Sequence, residues 1–135
     1  MATNDADMIE MLREGKTIAV VGLSSKRLRP SHGVSAYMQE HGYRIVPVNP
    51  AETEVLGEKA YATLGEVPFP VDIVNVFRQP EFVPEIVNEA LRLGVKYLWL
   101  QEDVVHETAA AKARAAGVKV VMDRCILKEH RRLML

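Results

Sequence analysis

Lys26, Arg27 and Arg29 cluster among the hydroxyls of Ser24, Ser25 and Ser31, directly after the apolar run Ile18-Ala-Val-Val21 and Gly22. Cations and hydroxyl donors in one short stretch suit phosphate, because charge-assisted hydrogen bonds are roughly twice as strong as neutral ones. The order strand, basic loop, helix repeats the opening of a nucleotide-binding α/β unit. The strand carries the loop to the carboxyl edge of a sheet. The helix that follows adds free N–H groups and the positive end of its dipole. His32, in the first turn of that helix, is positioned to donate as well. An exposed basic loop with no ligand has the same composition, and that reading stays open.

The loop departs from the dinucleotide fingerprint. G-x-G-x-x-G turns straight into its helix, whereas Gly22 is followed by Leu23, Ser24 and Ser25, and the next glycine is Gly33. Pro30 disfavours helix at Arg29, which makes Ser31 the expected N-cap. The loop is therefore longer than an NAD turn and able to wrap a phosphate with side chains as well as backbone.

Further candidates lie just after the other strands. Asn49-Pro50 stands where an NAD enzyme carries Asp or Glu for the ribose; an NADP site also lacks the acid, and Asn-Pro is in any case a turn signal. Phe77, Arg78 and Gln79 follow the third strand, and Arg78 suits either a phosphate, an adenine face or a helix acid. Gln101-Glu102 and Asp123-Arg124-Cys125 complete the set. Cys125 is either a small, partly buried residue or a thiol made reactive by Arg124. Tyr97 and Trp99 share one strand face and read as core. Asn75, polar within an apolar strand, requires a hydrogen-bond partner. His41 reads as a helix end, and His106 and His130 as surface residues. No His or carboxylate spacing suggests a metal, and no Ser-His-Asp, Cys-His or G-x-S-x-G arrangement assigns a catalytic residue.

The elements that position these residues follow from periodicity and glycine punctuation. Helices are expected at residues 7–14, 31–41, from Pro80 to the stop at Gly94, and 104–116, with a last helix over 125–135. Strands are expected at 17–21, 44–48, 71–77, 95–100 and 118–122. Residues 51–70 read as irregular, with a helical turn near 63–67. Near-continuous apolar strands alternating with helices describe parallel strands covered on both faces. The expected fold is α/β: a Rossmann-like, doubly wound parallel sheet of about five strands, one domain over residues 1–135 with an N-terminal extension at 1–14.

The bulk composition narrows the function classes. The 135 residues are 48% hydrophobic and 26% charged, with a net charge of −1. That balance gives no electrostatic footprint for nucleic acid. No apolar run reaches the roughly 20 residues of a membrane span, and the acidic start lacks a signal-peptide pattern. One cysteine excludes an internal disulfide and a multi-cysteine metal site, and fits a reducing cytoplasm.

The ordered set Val21-Gly-Leu-Ser24 with Lys26 and Ser31, Pro47-Val-Asn-Pro50, Val71-Asp-Ile-Val-Asn-Val-Phe-Arg78, Trp99-Leu-Gln101 and Asp123-Arg-Cys125 resembles the small bacterial and archaeal CoA-binding proteins. These are similar to the N-terminal CoA-binding domain of the succinyl-CoA synthetase α-subunit and of NDP-forming acyl-CoA synthetases. The resemblance implies a Rossmann-like fold and coenzyme A as ligand. It implies phosphate contacts from the loop Leu23, Ser24, Ser25 and Lys26 and from the helix start at Ser31 and His32; Gly22 and Arg29, read from the loop itself, complete the expected ligand-binding set. Asn49 and Pro50 would line the ligand path, and Phe77, Arg78 and Gln79 would lie along it. The synthetase loop is richer in glycine than this one. Synthetases also need a phosphohistidine domain and a nucleotide-grasping subunit, so the expectation is non-catalytic CoA or acyl-CoA binding, with a protein partner or homo-oligomer. Two alternatives remain: an NADP-linked oxidoreductase, and a mixed disulfide between Cys125 and CoA.

Overall fold

The computed structural model describes residues 4–135; the first three residues of the expected extension lie outside the described residues. Helix α1 (Asp5–Glu14) begins earlier than the apolar spacing suggests, because Asn4 caps it by accepting from the Asp7 N–H at 2.8 Å. Strands β1 (Thr17–Val21) and β2 (Arg44–Val48) flank α2 (Pro30–Glu40). A small antiparallel hairpin, β3 (Glu54–Val55) and β4 (Glu58–Lys59), lies in the stretch expected to be irregular. Two-residue strands leave no period to read; their turn is marked only by positive φ at Leu56 and Gly57. The helical turn expected near 63–67 is a 3₁₀ turn at Leu64–Glu66.

Strand β5 (Ile73–Val76) is shorter than the apolar run. The Asp72 carboxylate instead accepts from the Lys16 and Thr17 N–H groups, fixing the start of β1. A 3₁₀ turn at Pro80–Phe82 leads into α3 (Val83–Arg92), then β6 (Tyr97–Leu100). Helix α4 (Glu107–Ala115) starts later than expected, because His106 is its N-cap, accepting from Ala109 N–H at 3.1 Å. Strand β7 (Lys119–Val121) and helix α5 (Ile126–Met134) end the chain.

Five parallel strands form one sheet in the order β2-β1-β5-β6-β7. One core layer, built on Val74, Val76, Leu98 and Val120, packs under α3 and α4. The other, built on Ile18, Val20, Ile73, Trp99 and Val121, packs under α1, α2 and α5. The sheet is therefore covered on both faces. Val48, Val21 and Val76 stand in register at its carboxyl edge. Successive connections run outward in opposite directions from β1 and β5, which makes the gap between them the topological switch point.

Candidate functional site

Gly22 occupies that switch point. Its φ is +93°, and a Cβ there would lie 2.3 Å from the Phe77 carbonyl oxygen. Only glycine combines this left-handed conformation with so close an approach. The β ladder continues past it on both sides, with Gly22 N–H donating to Val48 O and Phe77 N–H to Val21 O, each at 2.8 Å.

The loop leaving Gly22 is held by its own groups. Ser24 N–H donates to Ser31 Oγ at 3.1 Å, and Lys26 N–H to Ser24 Oγ at 3.1 Å. Ser31 is thus not the helix N-cap: Pro30 takes the first helical position, where its missing N–H costs nothing, and Arg29 stands at the cap in extended conformation. The buried Ser31 hydroxyl is freed to tie the loop down. Leu23 is fully buried, so it offers a ligand backbone rather than side chain. Lys26, Arg27 and Arg29 are exposed, and among the described residues they form no ion pair.

A second loop joins the first. Asn49 Nδ2 donates to Leu23 O at 3.0 Å, and its Oδ1 accepts from Ala51 N–H at 3.0 Å. This turn delivers Glu52, whose Oε2 accepts the Ser25 N–H at 2.8 Å. That bond, then the Ser25 side chain and the Lys26 charge, hold the Glu52 carboxyl below the usual range. Sequence reading singled out Asn49-Pro50 and passed over Glu52. The signal available was an Asx turn placing the residue three positions beyond Asn49 back toward the sheet. Together the two loops enclose a cleft of about 390 Å³, lined by Gly22, Ser24, Lys26, Arg29, Ser31, Asn49, Glu52 and Phe77.

Two further clefts continue along the strand ends. One, of about 570 Å³, is bounded by Phe77, Arg78, Gln79, Phe82 and Val104. The other, of about 530 Å³, lies between the end of β2 and α3, with Pro50, Leu64, Arg78, Phe82 and Arg92 on its walls. Arg78 belongs to both, its guanidinium stacked 4.1 Å from the Phe82 ring centre. The structure thus brings together Gly22, Ser24, Lys26, Arg29, Ser31 and Asn49 in one cleft, and sets Pro50, Arg78 and Gln79 in its neighbours. Phe77 is shared between clefts. Ser25 takes part through its N–H, and His32 stands beside them in the first turn of α2.

Asn75 has its partner: Gln101 Nε2 donates to Asn75 Oδ1 at 2.8 Å, both side chains buried. Trp99 and Tyr97 are core, Trp99 donating to Arg124 O at 2.9 Å. Cys125 is buried and lines none of the three clefts. His130 is not a surface residue. It is buried against Tyr37, His41 and Tyr43, because α5 turns this face toward α2. His106 is half-buried by its capping role. Among the described residues no helix is long and apolar enough to cross a membrane.

A model of the CoA binding domain family matches residues 16–131. The Bacillus subtilis (strain 168) protein YneT, described as uncharacterized, is 45% identical over 125 residues, covering 93% of each chain. Subunit alpha of the ADP-forming acetate–CoA ligase I of Pyrococcus furiosus is 33% identical over 94 residues, covering 65% of this chain and 20% of the subunit. A solved structure, the hypothetical protein from Pyrococcus horikoshii OT3, superposes with a TM-score of 0.95 at 38% identity, over 98% of this chain and 94% of that one.

Proposed function

The chain belongs to the CoA-binding domain family, and from that membership we propose that it binds coenzyme A at the strand-end clefts, as a binding module with no bond-making chemistry of its own. The observation that carries this reading is the juxtaposition at the switch point. A glycine that admits no Cβ brings the main chain close, and exposed Lys26 and Arg29 stand over the same cleft. The residues fit the ligand's chemistry. A diphosphate and a 3′-phosphate ask for cations and hydrogen-bond donors; Lys26, Arg29 and Arg78 supply the charge and the serine hydroxyls the donors. The Arg78–Phe82 stack offers a flat cationic surface to the purine. The pantetheine arm then follows Phe77 and Gln79 toward Val104. The P. furiosus relative is by name a ligase, but this chain spans only 20% of that subunit. In this reading the protein presents bound CoA to a partner or reports its level.

Calorimetric titration with CoA, dephospho-CoA and NADPH tests the proposal. Micromolar CoA binding is expected, weakened by loss of the 3′-phosphate and about tenfold by Lys26→Ala, the size of one lost charge-assisted contact. Binding of NADPH with none of CoA would instead indicate an oxidoreductase.

A further inference from the structure

Among the loop N–H groups that a phosphate would be expected to use, Ser25 differs from its neighbours. Ser24 and Lys26 donate to neutral hydroxyls inside the loop and its helix. Ser25 donates at 2.8 Å to an anion, Glu52, carried in from the end of a different strand. We propose that Glu52 is an internal competitor for phosphate: its carboxylate takes the Ser25 N–H that a ligand phosphate oxygen would take, and so sets the affinity and charge selectivity of the loop. This inference rests on the reading of that loop as the phosphate site of CoA.

A carboxylate and a phosphate make the same demand on the loop. Each is an anionic acceptor for a backbone N–H and a partner for a nearby cation. Glu52 already has both, the Ser25 N–H and the neighbouring Lys26 charge, which together hold it ionised. Glu52 and the loop cations line one cleft, so an incoming phosphate would meet a fixed negative charge there unless the carboxylate swung away. Like charges at contact distance repel appreciably even near water.

The alternative is that Glu52 is a strut that shapes the loop. The two strand ends are joined without it: Gly22 N–H donates to Val48 O and Asn49 Nδ2 to Leu23 O. The turn that carries Glu52 is closed by Asn49, through Ala51 and Glu52 N–H, not by the glutamate side chain. Loop position is thus secured by neutral bonds, and the carboxylate adds charge at the place where the ligand brings its own. Such a competitor discriminates. A ligand with several phosphates and a long arm displaces it; a small anion with little else to offer does not.

Glu52→Gln separates the two roles, because the amide oxygen still accepts from Ser25 while the charge is gone. Calorimetry on wild type, Glu52→Gln and Glu52→Ala is run with CoA, with inorganic pyrophosphate, and with phosphate-free pantetheine. The expected result is about tenfold tighter CoA binding by Glu52→Gln, a gain for pyrophosphate as well, and no gain for pantetheine. Glu52→Ala, which has no acceptor, is also expected to bind CoA more tightly than wild type. CoA binding by wild type with equal or weaker binding by both variants overturns the competitor role and leaves the CoA reading intact. Binding of CoA by the variants alone upholds the competitor role and overturns CoA binding by the native chain. Silence from all three proteins overturns both.

Discussion

The two faces of the sheet are packed with different chemistry. Under α3 and α4 the buried side chains are almost wholly Val, Ile, Leu and Ala. Under α1, α2 and α5 they include Trp99, Tyr43, Tyr97 and the methionines Met8, Met11 and Met38. That second side also buries polar groups: Ser31 and Ser35 on α2, and His130 on α5. Asn75 joins them by strand alternation, sharing the face of Ile73. Ser35 Oγ has no partner among the described residues, and a buried hydroxyl in that state is costly. An aliphatic layer gains its stability from area and close packing alone. The polar layer gives up part of that gain, and it is the layer whose helix α2 carries the basic loop. The contrast separates a face that holds the fold from one that also shapes the strand-end edge where the candidate cleft lies.

The largest expected effect tests the first half of that contrast. Leu98→Ala, in the aliphatic layer, should lower stability by about 2–5 kcal/mol with CoA affinity of the folded fraction unchanged. Urea unfolding and calorimetry measure the two quantities, and a parallel loss of affinity would break the division of labour. Gly22→Ala, at the meeting point of the two faces, should lose both. The left-handed backbone and the clash with Phe77 O cost about 2–4 kcal/mol, and relief of the clash would part the strand ends. Intact CoA binding by a folded Gly22→Ala protein would show that the close approach is dispensable.

The smallest effect belongs to the polar layer. Burial, and then the neighbouring His41, hold His130 below the ordinary imidazole range. It faces Tyr37, whose hydroxyl is 2.9 Å from Nδ1, together with His41 and Tyr43, and Arg131 lies over the Tyr37 ring. The unfolded chain therefore binds the His130 proton more readily than the folded one. Its contribution is complete above the unfolded pKa of about 6.5 and is lost as pH falls through the lower folded value. The urea midpoint should fall from pH 7.5 toward 5.5 more steeply in wild type than in His130→Phe. Identical pH profiles would remove His130 from the account.

Much of this was legible in the residues. Apolar runs ending at Gly22, Gly42, Gly94 and Gly117 marked strands and helix ends, since backbone conformations open to glycine punctuate the chain locally. The basic loop and Asn49 were legible as strand-end residues, because in a doubly wound sheet the ligand edge follows from element order. His130 was misplaced because which face of a terminal helix is buried depends on the helix it meets. The β3–β4 hairpin was missed because its strands are too short to show a period.

The alternation of strands and helices, the basic loop and its place at the carboxyl edge are written in the residues, since these rest on local propensity and on interactions between near neighbours. Three features come from the folded chain instead: Ser31 closes the loop rather than capping the helix, Gly22 lies against Phe77, and Glu52 takes the Ser25 N–H. The first depends on how the loop folds back onto its own helix; the other two depend on the distance between groups beyond the ends of different strands, a quantity fixed by the register of the folded sheet and written in no short stretch of the chain.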